Sequence, residues 1–394
     1  MLFSLLIGLH TSVRFFFFFS FLLFFCVTLG FAWLVLSFFS SRLSFELEHP
    51  LRAEIGEIVD FDADLSNRGP FPLFNLFLEI ALPLACCERS SEKLVVPVLG
   101  PYFSARHRFS VCFASRGRYE LEGADLYFFD PFGLFFLKKR LRAGSELYIY
   151  PRVFTVSALP AMVKGNAPWF GIGSSRRTGG DDEEFFGIRD YRDGDPLKTI
   201  HWVSSARMNK LIVKQFQRQS YCRATMIFNL EKEERGQMRE SPGEYMISIA
   251  ASLAKYLLAN DVAVEVIAHT GEVFQLASNK GQEHMEEILR FLTVAACESS
   301  VGFAELFQEF YRSIPESSNL IVIMRDKDWD SFLSVLAQEK KEIGIVPVII
   351  ISSSFFYEYE TKEYAAELKM KLNNKFNFDP IIVSCGDDME LIFS

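Results

Sequence analysis

Positive charge is in short supply in this chain of 394 residues: 41 Lys and Arg stand against 50 Asp and Glu, a formal net charge of −9. No domain-wide basic field exists to displace counterions from a polyanion, which argues against a nucleic-acid partner. Cysteine is sparse and unpatterned. The seven residues Cys26, Cys86, Cys87, Cys112, Cys222, Cys297 and Cys385 are odd in number, with no Cys-x-x-Cys spacing and no companion histidine cluster. That pattern speaks against a disulfide framework and a structural zinc site, and suits small core residues in a reducing compartment. A phosphate-cradling loop is missing too. The glycine-rich run GIGSSRRTGG (171–180) lacks the Lys-Ser/Thr ending, and no clear strand precedes it, so it reads as linker.

What the chain does have in excess is phenylalanine, 42 residues. Part of that excess is one segment, Phe15 to Phe39, which runs 25 residues without a charge. At about 1.5 Å per residue it spans a bilayer core with some tilt. A secretory leader is the rival reading, with Arg14 as its basic flank. Its apolar part would be only about 7–15 residues long, followed by a small-residue cleavage site, and Ser40-Ser41-Arg42 is a poor one. The segment is therefore expected to be a transmembrane anchor. Leu2–Leu9 is apolar but too short to cross alone. Arg14, Arg42 and Arg52 barely discriminate the two orientations.

From Leu43 to Arg152 short alternating runs are broken by turn residues, as at Ile55–Leu65 followed by Ser66-Asn67-Arg68-Gly69-Pro70. Further runs fall at 73–82, 94–99, 106–114, 117–121 and 147–150, which predicts a small all-β sandwich. Asp130-Pro131-Phe132-Gly133 reads as a tight turn carrying an aromatic plug. Beyond residue 219 near-continuous apolar runs at 223–230, 262–268, 320–324, 345–351 and 381–384 alternate with helical patterns. That alternation predicts an α/β domain with a mostly parallel sheet covered on both faces. The boundaries are an anchor at 1–42, a sandwich at 43–152, a linker at 153–183, a charged strap at 184–218 and the α/β domain at 219–394.

The strap, Glu184–Phe216, packs ten formal charges around a turn signal, Asp193-Gly194-Asp195-Pro196. Six are basic (Arg189, Arg192, Lys198, Arg207, Lys210, Lys214) and four acidic (Glu184, Asp190, Asp193, Asp195), a near-balance that suits an internally paired network. Two readings stand. One is a strap of paired charges fixing one domain against the next, with Trp202 as its apolar anchor. The other is a site for a phosphate-bearing or acidic partner, built from Arg189, Arg192, His201 and Arg207. No nucleophile with an adjacent base is visible: the spacing of His201 and Ser204 proves nothing about geometry.

The order Phe186, Arg189-Asp190-Tyr191, Gly194-Asp195, Ile200-His201-Trp202, Ala206-Arg207, Leu211 and Val213 resembles the signature of the bacterial domain of unknown function 58 family. Arg116-Gly117-Arg118-Tyr119, Asp130–Leu134 and Tyr150-Pro151 look like the same family. Asp190 stands where the family usually has Glu, and Val203 where it usually has Lys. The resemblance implies a two-helix anchor with cytoplasmic ends and a von Willebrand factor A-like α/β domain. It also implies a MoxR-type AAA+ ATPase as cytoplasmic partner, and a role in envelope or complex assembly.

In domains of the A type, an Asp-x-Ser-x-Ser tip after the first strand, with a Thr and an Asp from later loops, holds a divalent cation. Here the tip reads Asn229-Leu230-Glu231-Lys232-Glu233. The later loops offer Ser299-Ser300-Val301-Gly302, without Thr, and Asp326. The candidates for a cation are thus Asn229, Glu231, Glu233 and Asp326, all oxygen ligands suited to magnesium or calcium, but the motif's geometry is not supplied. An exposed acidic loop is the expected outcome, with no cofactor and no catalysis. The leading expectation is a non-enzymatic interaction module at the cytoplasmic membrane, its soluble part facing the cytoplasm. A metal-dependent hydrolase at the acidic loop and a structural envelope-binding protein remain as alternatives.

Overall fold

The computed structural model describes residues 14–83, 90–157, 159, 183–192, 195, 197–218, 223–232, 241–315, 318–338, 344–355, 364–370 and 380–394. It divides into two compact units, Met1–Pro151 and Arg152–Ser394.

The first unit opens with helix α1, Arg14–Ser40, 27 residues, long and apolar enough to cross a bilayer by length and composition. Eight strands follow: β1 (Leu43–Glu48), β2 (Arg52–Glu54), β3 (Ile58–Asn67), β4 (Leu73–Ala81), β5 (Ser91–Leu99), β6 (Ser104–Cys112), β7 (Gly117–Phe129) and β8 (Phe136–Tyr150). They form two sheets, β1-β3-β6 and β2-β8-β7-β4-β5. Every pairing is antiparallel except β2 with β8. Alternate residues of β3, from Val59 to Leu65, point into a core shared with Leu76, Leu78 and Leu126 of the other sheet, as period-two patterning dictates. The predicted runs at 117–121 and 147–150 are only the outer ends of one long hairpin, β7–β8. Its ladder shifts register between Leu121 and Gly123, which marks a bulge.

The hairpin closes at the Asp130 turn, and here the expected plug is corrected. Phe132 is 56% exposed, whereas Asp130 is fully buried. The Asp130 carboxylate accepts the amides of Phe132 (3.1 Å) and Phe135 (2.7 Å), and Gly133 N donates to Asp130 O at 3.0 Å. A carboxylate taking local amides closes the loop from inside, so the aromatic rings point outward.

The C-terminal third of α1 belongs to this unit's core. Gly30, Leu34, Ser37 and Ser41 are buried at helical spacing, and Leu34 is 1% exposed among the sandwich residues. Phe31 meets Phe135 edge-on (centroids 5.3 Å), Trp33 meets Phe74 (5.9 Å) and Phe38 meets Phe128 (5.5 Å).

The second unit holds a hairpin of β9 (Glu183–Asp190) and β10 (Ile212–Arg218), with helix α2 (Trp202–Met208) between them, and a six-stranded sheet. The sheet strands are β11 (Arg223–Asn229), β12 (Ala263–His269), β13 (Val273–Asn279), β14 (Ser318–Arg325), β15 (Ile345–Ile350) and β16 (Ile381–Val383). Their order is β13-β12-β11-β14-β15-β16, all parallel neighbours save antiparallel β13 at the edge. The helices are α3 (Pro242–Ala259), α4 (Gln282–Val294), α5 (Phe303–Tyr311), α6 (Trp329–Gln338), α7 (364–370) and α8 (Met389–Ile392). α3 starts where Ser241 Oγ accepts Glu244 N with Pro242 next in line, a standard helix entry.

Cores lie on both faces: Met226 and Phe228 pack toward Ile249 and Leu253 of α3, while Ile227 faces the rings of Phe303, Phe307 and Phe332. Two covered faces explain why the strands read as unbroken apolar runs. From β11 the chain goes out to β12 on one side and later returns to β14 on the other, so strand order reverses between β11 and β14. Open α/β sheets bind ligands beyond the carboxyl ends of the strands at such a reversal.

Candidate functional site

Two places collect the residues singled out by sequence: the hairpin carrying the signature, and the carboxyl ends of β11 and β14.

In the hairpin the charges pair inward. Arg189 clamps Asp195 with both terminal nitrogens, Nη1 to Oδ2 at 2.6 Å and Nη2 to Oδ1 at 2.7 Å. Arg192 N adds a third bond to the same carboxylate at 2.9 Å. The Arg189 guanidinium, and after it that backbone amide, hold the Asp195 carboxyl down at about 2, as donors to the charged form do. Lys210 pairs with Asp190 at 2.8 Å, and Tyr191 N donates to Leu211 O at 3.0 Å. His201 is the N-cap of α2: its Nδ1 accepts Ser204 N at 3.2 Å and lies 2.8 Å from Ser204 Oγ. The imidazole thus caps the start of the helix. Ser205 is buried, donating to His201 O (3.0 Å) and accepting Ile212 N (2.9 Å), which stitches α2 to β10.

Two expectations for this segment are corrected. Trp202 is 65% exposed; the apolar interior consists of Ile200, Ile212 and Val213. Arg207 is exposed and makes no ion pair with a described residue, so it is not a member of the internal network. The turn residues Asp193, Gly194 and Pro196 lie outside the described residues, although Asp195 N donates to Arg192 O at 3.0 Å beside them.

At the sheet's carboxyl ends, Asn229 is 3% exposed, and its Nδ2 donates to Val301 O at 2.6 Å. Glu231 bridges to Ser299 through a short parallel ladder. Its backbone oxygen accepts Arg325 Nη2 at 2.9 Å, and its carboxylate pairs with Lys327. Asp326 instead accepts Ser352 N at 3.1 Å. Glu233 lies outside the described residues. Asn229 Nδ2 also donates to Glu231 Oε1 at 3.4 Å, so these two stand together while Asp326 serves a separate partner; among the described residues no group of three His, Cys, Asp or Glu gathers to hold a metal.

Sequence reading missed Arg325, Lys327 and Asp328, which line the β14 side of the reversal. The signal was present in Arg325-Asp326-Lys327-Asp328, four charges directly after an apolar strand. Burial, and next the charge of Glu231, push Asp328 from the ordinary 3.8 up to about 6. A carboxyl whose folded value is raised binds its proton more tightly when folded. The resulting cost to stability is absent below about pH 4, grows between 4 and 6, and is complete above 6. Asp328→Asn is accordingly expected to stabilise the unit at pH 7.5 by about 1–2 kcal/mol, discounted from the full linkage value because the group is only partly shielded. At pH 4 it should give no gain. Thermal unfolding at the two pH values checks this.

Comparison with known proteins gives one curated relative. It is the Bacillus subtilis (strain 168) "Uncharacterized protein YeaD", 22% identical over 249 residues, spanning 62% of this chain and 60% of that protein. The match thus covers less than two thirds of the relative's length. Among solved structures, the CARDB domain of a Pyrococcus furiosus protein aligns at 14% identity over 28% of this chain and 93% of that one, with a TM-score of 0.21. The alkylpurine DNA glycosylase AlkC of Pseudomonas fluorescens aligns at 14% over 28% of this chain and 30% of its own, with a TM-score of 0.17. Scores this low carry no argument about function. The family model described as "Protein of unknown function DUF58" matches residues 187–351, a span running from the signature hairpin to the end of β15.

Proposed function

We propose that this protein is a membrane-anchored, non-enzymatic interaction module. The observation that carries the reading is α1. Its N-terminal two thirds expose apolar side chains such as Phe18, Phe21 and Phe25, the surface a bilayer core would cover, whereas Leu34 at its other end is sandwich core. A cleaved leader would strip that core, so retention as an anchor is the reading that fits both ends.

The α/β unit is read as a von Willebrand factor A-like domain whose cation tip has been replaced. Lys327 takes the place of a metal beside Glu231, and a neutral amide stands at Asn229. The internally braced hairpin, with Trp202 and Arg207 facing outward, then serves as a rigid presenting surface. From the family resemblance, the partner is a MoxR-type AAA+ ATPase acting from the cytoplasmic side of the inner membrane, in complex or envelope assembly. Affinity isolation of the full chain from detergent-solubilised membranes, with the ATPase co-expressed, tests it. The ATPase is expected to co-elute, and its loss is expected in Trp202→Ala/Arg207→Ala with thermal unfolding unchanged. Isolation without the ATPase despite its expression removes the partner assignment.

A further inference from the structure

We infer that the Asp130–Phe136 loop of the sandwich is a second lipid-binding element, inserted into the bilayer beside α1. This rests on the reading of α1 as a membrane anchor and goes beyond it, because it assigns a lipid contact to a part of the β-sandwich.

The helix has two sides with different companions. The side facing the sandwich begins at Gly30, where a Cβ would lie 3.3 Å from the Phe132 ring, and continues through Leu34. The opposite side stays apolar and exposed well past that level: Leu29 is 60% exposed, Leu36 52% and Phe39 80%. If lipid covers Phe39, it also covers the level of Gly30 and Phe31, about nine helical residues or roughly 13 Å deeper along the axis. Whatever packs on Gly30 and Phe31 lies in that same layer.

What packs there is the tip of the β7–β8 hairpin, through Phe132 on Gly30 and Phe135 on Phe31. The tip's composition suits lipid. Phe132, Leu134, Phe135 and Phe136 are exposed by 56%, 59%, 41% and 58%, a contiguous apolar surface that water would leave unfavourable. The one carboxylate in the loop, Asp130, is buried and bonded to the loop's own amides, so no bare charge enters the apolar layer.

The strand that leaves the loop shows where the layer ends. From Phe135 to Lys139 is four strand residues, about 13 Å; from Phe31 to Ser41 is ten helical residues, about 15 Å. Phe135 touches Phe31, and Lys139 Nζ reaches Ser41 O at 3.4 Å, so β8 runs alongside the helix with its tip toward the membrane end. The run Lys138-Lys139-Arg140, with Lys138 paired to Asp125 and Arg140 to Glu122 of β7, then falls level with the end of α1, at the height of lipid headgroups. Aromatic rings below a charged, hydrated rim are the arrangement of an interfacial anchor.

The test places a reporter at the tip. Leu134→Trp, and Ile58→Trp as a control at an exposed position of the other sheet, are made in the full-length chain. Each is reconstituted in nanodiscs of ordinary or dibrominated phosphatidylcholine, and its emission is compared with that of the parent chain. The expected result is that the emission added at 134 is mostly lost in brominated lipid, while that added at 58 is unchanged. A chain that co-elutes with nanodiscs but keeps the emission at 134 overturns the insertion and leaves the anchor standing. A chain that does not co-elute overturns the anchor and the insertion together. Both positions are exposed, so neither substitution removes packing, and near-parent thermal unfolding verifies the fold.

Discussion

Leu22→Arg combined with Phe25→Arg is expected to release the chain from membranes while leaving the sandwich folded. Both side chains are exposed on α1, by 45% and 55%, N-terminal to the stretch that packs on the strands. Removing them therefore costs no protein contact in the core. Each arginine near the middle of a spanning helix costs about 2.5–3.5 kcal/mol, and the lost apolar residue adds a few tenths more, so the pair opposes insertion by about 6–8 kcal/mol. That is a shift of about four to six orders of magnitude in partition. Alkaline extraction of membranes measures it: the parent chain stays in the pellet and the variant leaves it. Leu22→Phe, which keeps the apolar character, should behave as the parent. A parent chain that is itself extracted would count against α1 as an anchor.

The second large effect is structural. Gly123 sits at the β7–β8 bulge with φ +129°, and a Cβ there would lie 2.0 Å from Leu141 O and 2.9 Å from Ala143 N. Both atoms are backbone of the paired strand, so no side chain can swing away to make room. Gly123→Ala therefore combines a conformation that L residues avoid with forced separation of the ladder, on the order of 3–5 kcal/mol. Against a typical domain stability of about 5–15 kcal/mol, that consumes a large fraction. Gly133→Ala is the matched control. Its φ is +68° but nothing lies within 4 Å, so only the backbone preference is lost, about 1 kcal/mol. Denaturant midpoints of the two variants, followed by protease resistance of the sandwich, should separate them clearly.

These two glycines also show what the residues alone could and could not disclose. The apolar N-terminal helix and the fully buried strands β11, β14 and β15 stand within a few residues of where the residue pattern places them. The strands bury both faces, and burial writes itself into the residue pattern. The long hairpin β7–β8 was read as two fragments. The bulge at Gly123 breaks the alternation, and the exposed side of β8 carries Lys138, Arg140 and Arg142, which dilute the apolar signal.

Side-chain partnership was the least legible layer. A balanced set of charges in the hairpin forecast internal pairing, and Arg189 with Asp195 and Lys210 with Asp190 do pair. Yet charge balance does not say which arginine is left outside, and Arg207 is. Nor does sequence distinguish an aromatic that anchors from one that faces water, as Trp202 does. At the carboxyl edge of the sheet the residue pattern points to Asn229, Glu231 and Asp326, but their companions Val301, Lys327 and Ser352 come from segments brought near only by the parallel sheet.

The unbroken run of α1 from its exposed apolar turns to the sandwich has a mechanical corollary. Leu34 and Phe38 key the end of the helix into the strands, and no proline or described kink interrupts it. A swivel has nowhere to form along such a shaft. With α1 anchored as proposed, a tilt of the helix to match a thicker or thinner bilayer would make the β-domain lean with it, so membrane thickness itself would become a lever on the angle at which this domain is displayed.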